Sequence, residues 1–372
     1  MQYGKKPARY ITSALIVALS TALLFSGCSK SSTDTEQQGS TADQQQQSQQ
    51  NQQIKQETYF IFDTIVTVKI YDERATDEDF KNIHSLLQNI EDKMSRTLET
   101  SELSKLNAHA GQGPYKVSAD TFDVISRAID YAQRTDGAFD PTVGPLVNSW
   151  LIGTEDAHVP PQSEIDEDLK LVGYDLVQLD KDNLTVTLEK PGMVIDLGGI
   201  AKGYAADVIA GYVRDKGYVG AIVDLGGNIF AVGEKPNGDS WTIGVQDPDE
   251  SRGNPIGKMS VKDKTIVTSG VYERYFVANG KHYHHILDTK TGYPVENNLN
   301  SVTIVTDISS DADGLSTAIF SLGIEKGMAF IESKTDAEAI FITKDKKVYM
   351  SSGISKIFEL TNDSYTVAEL EK

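Results

Sequence analysis

Asp196-Leu197-Gly198-Gly199-Ile200-Ala201-Lys202-Gly203-Tyr204 has a near copy downstream, Asp224-Leu225-Gly226-Gly227, which follows Gly220-Ala221-Ile222-Val223. Each copy ends a short apolar run, so each reads as a buried strand that stops at an Asp and a glycine pair. A glycine pair lets the backbone turn sharply and come close to another group. The first copy leads into an Ala-rich stretch with helical character, Ile200 to Lys216. A strand, a glycine turn and a helix N-terminus make a seat for a phosphate. No Gly-Lys-Ser/Thr follows the glycines, so this is not a Walker loop, and it is not a G-x-G-x-x-G turn. Two readings stand at this point: an anion or nucleotide site, and a tight strand-to-helix turn.

Around this motif the pattern mixes helices and strands. Tyr59 to Tyr71 is rich in Ile, Val, Thr and Phe and reads as one strand. Phe80, Ile83, Leu86, Leu87 and Ile90 form one stripe of a helix over Asp77–Met94, and Asp120 to Thr135 repeats the pattern. Short strands are expected at Leu176–Leu179, Thr185–Leu188, Met193–Ile195 and Ser301–Thr306. Tyr272 to Leu287 reads as a hairpin turning at Asn279-Gly280. Asp311–Leu322 and Ile324–Ser333 read as helices, before a return to short strands. The elements do not alternate strictly. The fold class expected is therefore α+β, with mixed and antiparallel sheets, flanking helices and two subdomains.

The N-terminus points to export. Lys5, Lys6 and Arg9 precede an uncharged apolar run, Ile11 to Phe25, and Ser26-Gly27-Cys28 closes it. This is the pattern of a lipoprotein signal peptide (1–27), with acylation expected at Cys28, the single cysteine of the chain. The Gln/Ser-rich stretch 28–56 buries almost nothing and reads as a disordered tether. Residues 57–365 are the expected catalytic domain and 366–372 a tail. The chain of 372 residues has a formal charge of -19, which makes nucleic acid and anionic lipid poor partners. Membrane association is expected through the lipid anchor alone, on the outer face.

Asp313 and Thr317 stand four residues apart in Ala312-Asp-Gly-Leu-Ser-Thr-Ala318, on one face of a helix. A carboxylate and a hydroxyl are hard oxygen ligands suited to Mg2+ that also holds phosphates. The alternative is an Asp stabilised near a helix N-terminus. His282, His284 and His285 crowd the end of the hairpin. Alternation puts His282 and His284 on one face and His285 on the other. A histidine there suits a general base titrating near neutral pH; a zinc site and a strand-end histidine held by a backbone partner are the alternatives.

These pieces coincide in one family. The chain resembles the FAD:protein FMN transferases, the ApbE family. The resemblance is carried by Asp196–Tyr204, Gly220–Asn228, Thr268-Ser-Gly-Val-Tyr-Glu-Arg-Tyr275, His285-Ile-Leu-Asp-Thr-Lys-Thr-Gly-Tyr-Pro294 and Ala312–Ala318. Ser101–Asn107 and Gly137–Pro145 also fit. The resemblance implies an enzyme that splits FAD and places FMN on a Thr or Ser of an exported protein, with AMP leaving. It implies Mg2+ on Asp313, Thr317 and the Gly199 carbonyl, with Asp196 and Lys202 at the FAD. It implies Phe62, Thr97, Ala138, Phe139 and Asp140 along the nucleotide cleft, and His285 as the base. The chain departs from the family at Thr289, where Pro is frequent and whose absence implies a less rigid turn. It departs too at Asp63, where Gly is frequent, and at Thr97, where some relatives place Tyr. An FAD pyrophosphatase and a flavin-binding lipoprotein without activity remain alternatives. The family's usual acceptor phrase does not occur in this chain, so self-modification is not expected.

Overall fold

The computed structural model describes residues 54–370. The expected signal peptide, Cys28 and all but the last residues of the tether lie outside the described residues. A nine-stranded sheet organises the rest, and its strand order follows the chain. The strands are β1 (Lys55–Ile61), β2 (Thr64–Ile70), β3 (Gly220–Leu225), β4 (Asn228–Gly233), β5 (Lys264–Gly270), β6 (Leu299–Thr306), β7 (Glu338–Thr343), β8 (Lys347–Met350) and β9 (Thr366–Val367). Neighbours are antiparallel up to β8, and β9 joins β8 in parallel. The expected domain limits fall inside this sheet. Lys55 and Gln56 pair with Ile70 and Lys69, and Thr366 and Val367 pair with Lys347 and Val348. Both segments are edge strands with little buried side chain, so no apolar alternation marks them.

The single strand expected over Tyr59–Tyr71 is a hairpin. Phe62 and Asp63 make its turn at φ 56° and 54°, left-handed values that suit a two-residue hairpin turn. The turn interrupts an otherwise continuous β-favouring run and lacks the Asn-Gly or Asp-Gly signature. At Asn279-Gly280 that signature is present, and the hairpin Tyr275–Ala278 with Lys281–His284 forms as expected.

Among the described residues, seven α-helices accompany the sheet: α1 (Asp77–Met94), α2 (Glu102–Ala108), α3 (Ala119–Arg134), α4 (Gly144–Trp150), α5 (Gln162–Asp168), α6 (Ala201–Asp215) and α7 (Ser309–Lys334). The α1 stripe Phe80, Ile83, Leu87 and Ile90 is buried, and Thr76 with Asp79 closes its N-terminus as a capping box. Gly323, at φ 75° and ψ -179°, breaks α7 into the two expected helices. Few residues other than glycine adopt that backbone geometry.

The central strands of the sheet are buried on both faces. On β6, Val302 and Ile304 point into one core while Val305 points into the other. The first core receives α1, α6 and α7. The second packs on a smaller sheet of Trp241–Gln246, Pro255–Val261 and Phe358–Leu360. The described residues form one compact unit in which two cores share one sheet, rather than the two expected subdomains. A third cluster, around Trp150, Leu146, Ile165 and Leu287, lies under the Tyr275–His284 hairpin.

Where α6 meets α7, Gly203 lets the backbones touch. A Cβ on Gly203 would sit 2.2 Å from the Ser309 carbonyl oxygen and 2.6 Å from Ser310 Cα. Backbone cannot swing aside as a side chain can, so the helices would have to separate. Overpacking of this kind costs about 1–3 kcal/mol. Gly203→Ala should therefore lower the urea midpoint by that equivalent. An unchanged midpoint would mean the contact yields freely.

Candidate active site

Asp313, on the first half of α7, is 4% exposed. Its Oδ2 accepts the Gly203 N–H at 3.0 Å. Gly203 is the third residue of α6, where backbone N–H groups lack a partner within the helix. Asp313 therefore caps α6 from a different helix and complements its positive end. Lys202 Nζ lies 3.3 Å from both Asp313 carboxylate oxygens and donates to the Gly198 carbonyl at 2.8 Å. The helix terminus read from the sequence as a phosphate seat already holds a carboxylate of the protein itself.

Thr317 stands one turn further along α7, half-buried. A Cβ on Gly199 would lie 3.6 Å from its Oγ1 and 3.0 Å from Phe139 Cε2. Glycine at 199 keeps that backbone open to Thr317. Asp196 holds the same turn from below: its Oδ1 accepts the Gly198 N–H at 2.7 Å. Its Oδ2 pairs with Arg96 Nε at 2.9 Å. Asp196, Gly199, Lys202, Asp313, Thr317 and Phe139 are thus one group.

The strand expected at Met193–Ile195 is absent. The segment is satisfied differently: the Asn107 side-chain amide donates to the Ile195 carbonyl at 2.9 Å, and its oxygen accepts the Ile195 N–H at 2.8 Å. Asp196 N–H donates to the Pro141 carbonyl at 2.7 Å. A side chain and a loop replace the neighbouring strand, which an apolar run alone cannot reveal.

The other expected residues fall outside the group's polar contacts. Thr97 is exposed and bonds the Ser95 hydroxyl. Phe62 donates its N–H to Glu91 Oε1 at 3.1 Å, while its ring packs on the main core. Ala138 is half-buried in the loop after α3. Asp140 is buried and spent on the chain. Its carboxylate accepts from the Thr142 N–H and hydroxyl and from the Tyr174 N–H, at 2.7–2.9 Å. Burial raises its pKa despite those bonds. It fixes the loop that carries Phe139, whose ring is buried in the main core.

His285 follows the hairpin strand. Its Nδ1 is 3.2 Å from the Arg274 carbonyl oxygen, a partner that takes an N–H and leaves the Nε2 lone pair free. Burial first, then the charge of Arg274, lowers its pKa to about 4; His284 and Lys202 add to the effect. The near-neutral titration expected from the sequence is therefore displaced, and His285 is a neutral imidazole at pH 7. His284 is structural. Its Nδ1 accepts the Ile286 N–H, so Nε2 donates to the Val295 carbonyl at 3.0 Å. His282 stacks on Tyr275. Among the described residues, no three His, Cys, Asp or Glu side chains cluster to hold a metal. The donor set expected from the resemblance, Asp313, Thr317 and the Gly199 carbonyl, contains a single carboxylate.

Thr289 does not loosen its turn. Its hydroxyl donates to the Gly137 carbonyl at 2.6 Å, and the Lys290 and Thr291 N–H groups donate to Asp288 Oδ1. Three supports escaped the sequence reading. Arg96 orients Asp196, yet nothing local signals a partner a hundred residues away. Asp207 on α6 accepts the Ser309 and Ser310 N–H groups at 2.7 and 2.9 Å and so seats the start of α7. The Ser269 hydroxyl bonds Ser316, whose hydroxyl donates to the Asp313 carbonyl at 2.8 Å. An acid within the Ala-rich α6 was the one available signal.

A model of the ApbE family matches residues 62–341. The chain belongs to the ApbE family. Its relatives include the FAD:protein FMN transferases of Klebsiella pneumoniae and Treponema pallidum, each 38% identical. The first alignment covers 77% of this chain and 89% of the relative; the second covers 79% and 86%. The ApbE protein of Thermotoga maritima shares 35% identity and a TM-score of 0.75, over 82% of this chain and 99% of that one. The flavin transferase ApbE of Vibrio cholerae shares 31% identity and a TM-score of 0.73, over 82% and 99%. The ApbE match runs from Phe62 in the first hairpin turn to Phe341 on β7, and it encloses every residue of the site.

Proposed function

We propose that this chain is an FAD:protein FMN transferase that hands FMN to a Thr or Ser of an exported protein. The observation that carries the reading is the buried Asp313 carboxylate, set with Lys202 and Thr317 against the open Gly199 backbone. Phosphoryl transfer needs positioning and charge neutralisation more than covalent catalysis, and this group supplies both. The acceptor hydroxyl oxygen forms a bond to the FMN phosphorus as the diphosphate P–O bond breaks. Its proton goes to His285 Nε2, and AMP leaves with the bridging oxygen. Lys202 neutralises a diphosphate oxygen. Asp196, fixed by Arg96, positions the Gly198-Gly199 turn beneath the nucleotide.

Mg2+ fits the donor set: the Asp313 carboxylate, the Thr317 hydroxyl and the Gly199 carbonyl are hard oxygens. When bound, the ion would supply positive charge to the diphosphate.

One incubation with FAD, magnesium and an acceptor protein tests the reading. Flavin fluorescence on the acceptor in a denaturing gel is the expected result. Free FMN would make the chain a pyrophosphatase, and intact FAD a binding protein.

Acylation at Cys28 would hold the enzyme on the outer face of the membrane, where exported acceptors are met. Cys28→Ala should release the protein or leave it as a precursor. Membrane retention with normal processing in that variant would remove the anchor from the proposal.

A further inference from the structure

We propose that Lys202 is a place-holding cation: in the free protein it occupies the Asp313 carboxylate, and it moves to the FAD diphosphate when a divalent cation takes that carboxylate. The inference rests on the metal reading above and adds a coupling between the two ligands. A buried carboxylate requires a positive partner or several hydrogen bonds. Asp313 has one backbone donor, Gly203 N–H, and Lys202. The Lys202 ammonium touches the Gly198 carbonyl and the Asp313 carboxylate. It therefore spans the same two elements, the glycine turn and α7, as the donor set assigned to the metal.

Lys202 is also built to leave. Its contacts with Asp313 are 3.3 Å, longer than the roughly 2.7–2.9 Å of a tight charged hydrogen bond. Its side chain is 30% exposed, and a lysine stem rotates freely. Arg96 is the contrasting cation, fixed to Asp196 at 2.9 Å and to Asn148. An ammonium and a divalent ion on one carboxylate repel each other, so in the free protein they compete. A diphosphate gives Lys202 a new anionic partner and ends the competition. Metal and FAD must then strengthen each other's binding by the same factor.

The test uses the full chain after chelation, with Mn2+ as the probe ion. Free Mn2+ is followed by electron paramagnetic resonance without flavin, for the parent, Lys202→Met, Lys202→Gln and Asp313→Ala. Both Lys202 variants should bind Mn2+ at least about fivefold more tightly than the parent, the lower end of ordinary coupling. Their metal-free melting temperatures should fall, and Mn2+ should raise them more than it raises the parent's. FAD affinity, read by flavin fluorescence, should rise with Mn2+ in the parent and much less in the variants. Equal or weaker Mn2+ binding by both Lys202 variants overturns the place-holder while leaving the metal at Asp313. If instead Asp313→Ala binds Mn2+ as the parent does, the metal assignment itself fails, and the place-holder fails with it.

Discussion

Asp313→Ala should lower FMN transfer by at least about 10²- to 10³-fold, the usual cost of losing one group that stabilises developing charge. The same change removes the cap on α6 and the counter-charge of Lys202, so stability should also fall. One hydrogen bond to a charged group contributes about 1.5–3 kcal/mol, and the partly exposed Lys202 pair adds little beyond it. Two losses in one variant are ambiguous, and Asp313→Asn separates them. The amide oxygen still accepts the Gly203 N–H, so most of the stability should return. The charge does not return, so transfer should stay as low as in Asp313→Ala. Urea unfolding and single-turnover transfer, measured on both variants, make the comparison. Parent-like transfer by the Asn variant would show that Asp313 is a helix cap and nothing more.

The two Asp-Leu-Gly-Gly copies show how far sequence reading reaches. As letters they are equal, and both read as strand ends with a sharp turn. In the second copy that reading is physically apt. Gly226 and Gly227 have φ of 65° and 104° and close the β3–β4 hairpin, with the Gly227 N–H on Asp224 Oδ1. In the first copy neither glycine needs a positive φ. There the missing side chain matters, because a Cβ on Gly199 would press on Phe139. One phrase thus serves a turn in one place and an open backbone in another. Only the partners distinguish them, and they come from α3's following loop and from α7, far off in sequence. The helices were legible because burial imprints a 3.6-residue period locally. Asp313 and Thr317 were legible for the same reason, since their proximity is set by one helix. Arg96, Asp207 and Asn107 were not. Each acts on a segment far away in the chain, and a contact of that range leaves no period to read. Thr97, expected along the nucleotide cleft, bonds the Ser95 hydroxyl, while its neighbour Arg96 holds Asp196.

His285→Ala should slow transfer by about 10²-fold, the lower end of the range for a positioned general base. Two features of the site set that figure. A base with a pKa near 4 draws a hydroxyl proton only weakly. A loose phosphoryl-transfer transition state also asks little of the nucleophile's proton until bond formation is advanced. FAD binding should survive the substitution, because the ring's visible tie is to the Arg274 carbonyl. His284→Ala should behave differently. It empties a buried position between the Ile286 N–H and the Val295 carbonyl, so it should cost stability first and rate second. The pH dependence carries the sharper signature. His285 is neutral, and able to accept a proton, above about pH 4. The acid limb of kcat/KM in the parent should therefore centre near pH 4, well below the 6.5 of an ordinary histidine, and be missing in His285→Ala. Stability follows the same group with a definite sign. The unfolded chain protonates this histidine below about 6.5, whereas the folded chain resists until about pH 4. Between those values the unfolded state holds more protons, so stability falls as the pH drops through that window. His285→Ala should flatten that part of the stability curve. An acid limb at 6.5 that disappears in His284→Ala and persists in His285→Ala would move the base to the other face of the hairpin.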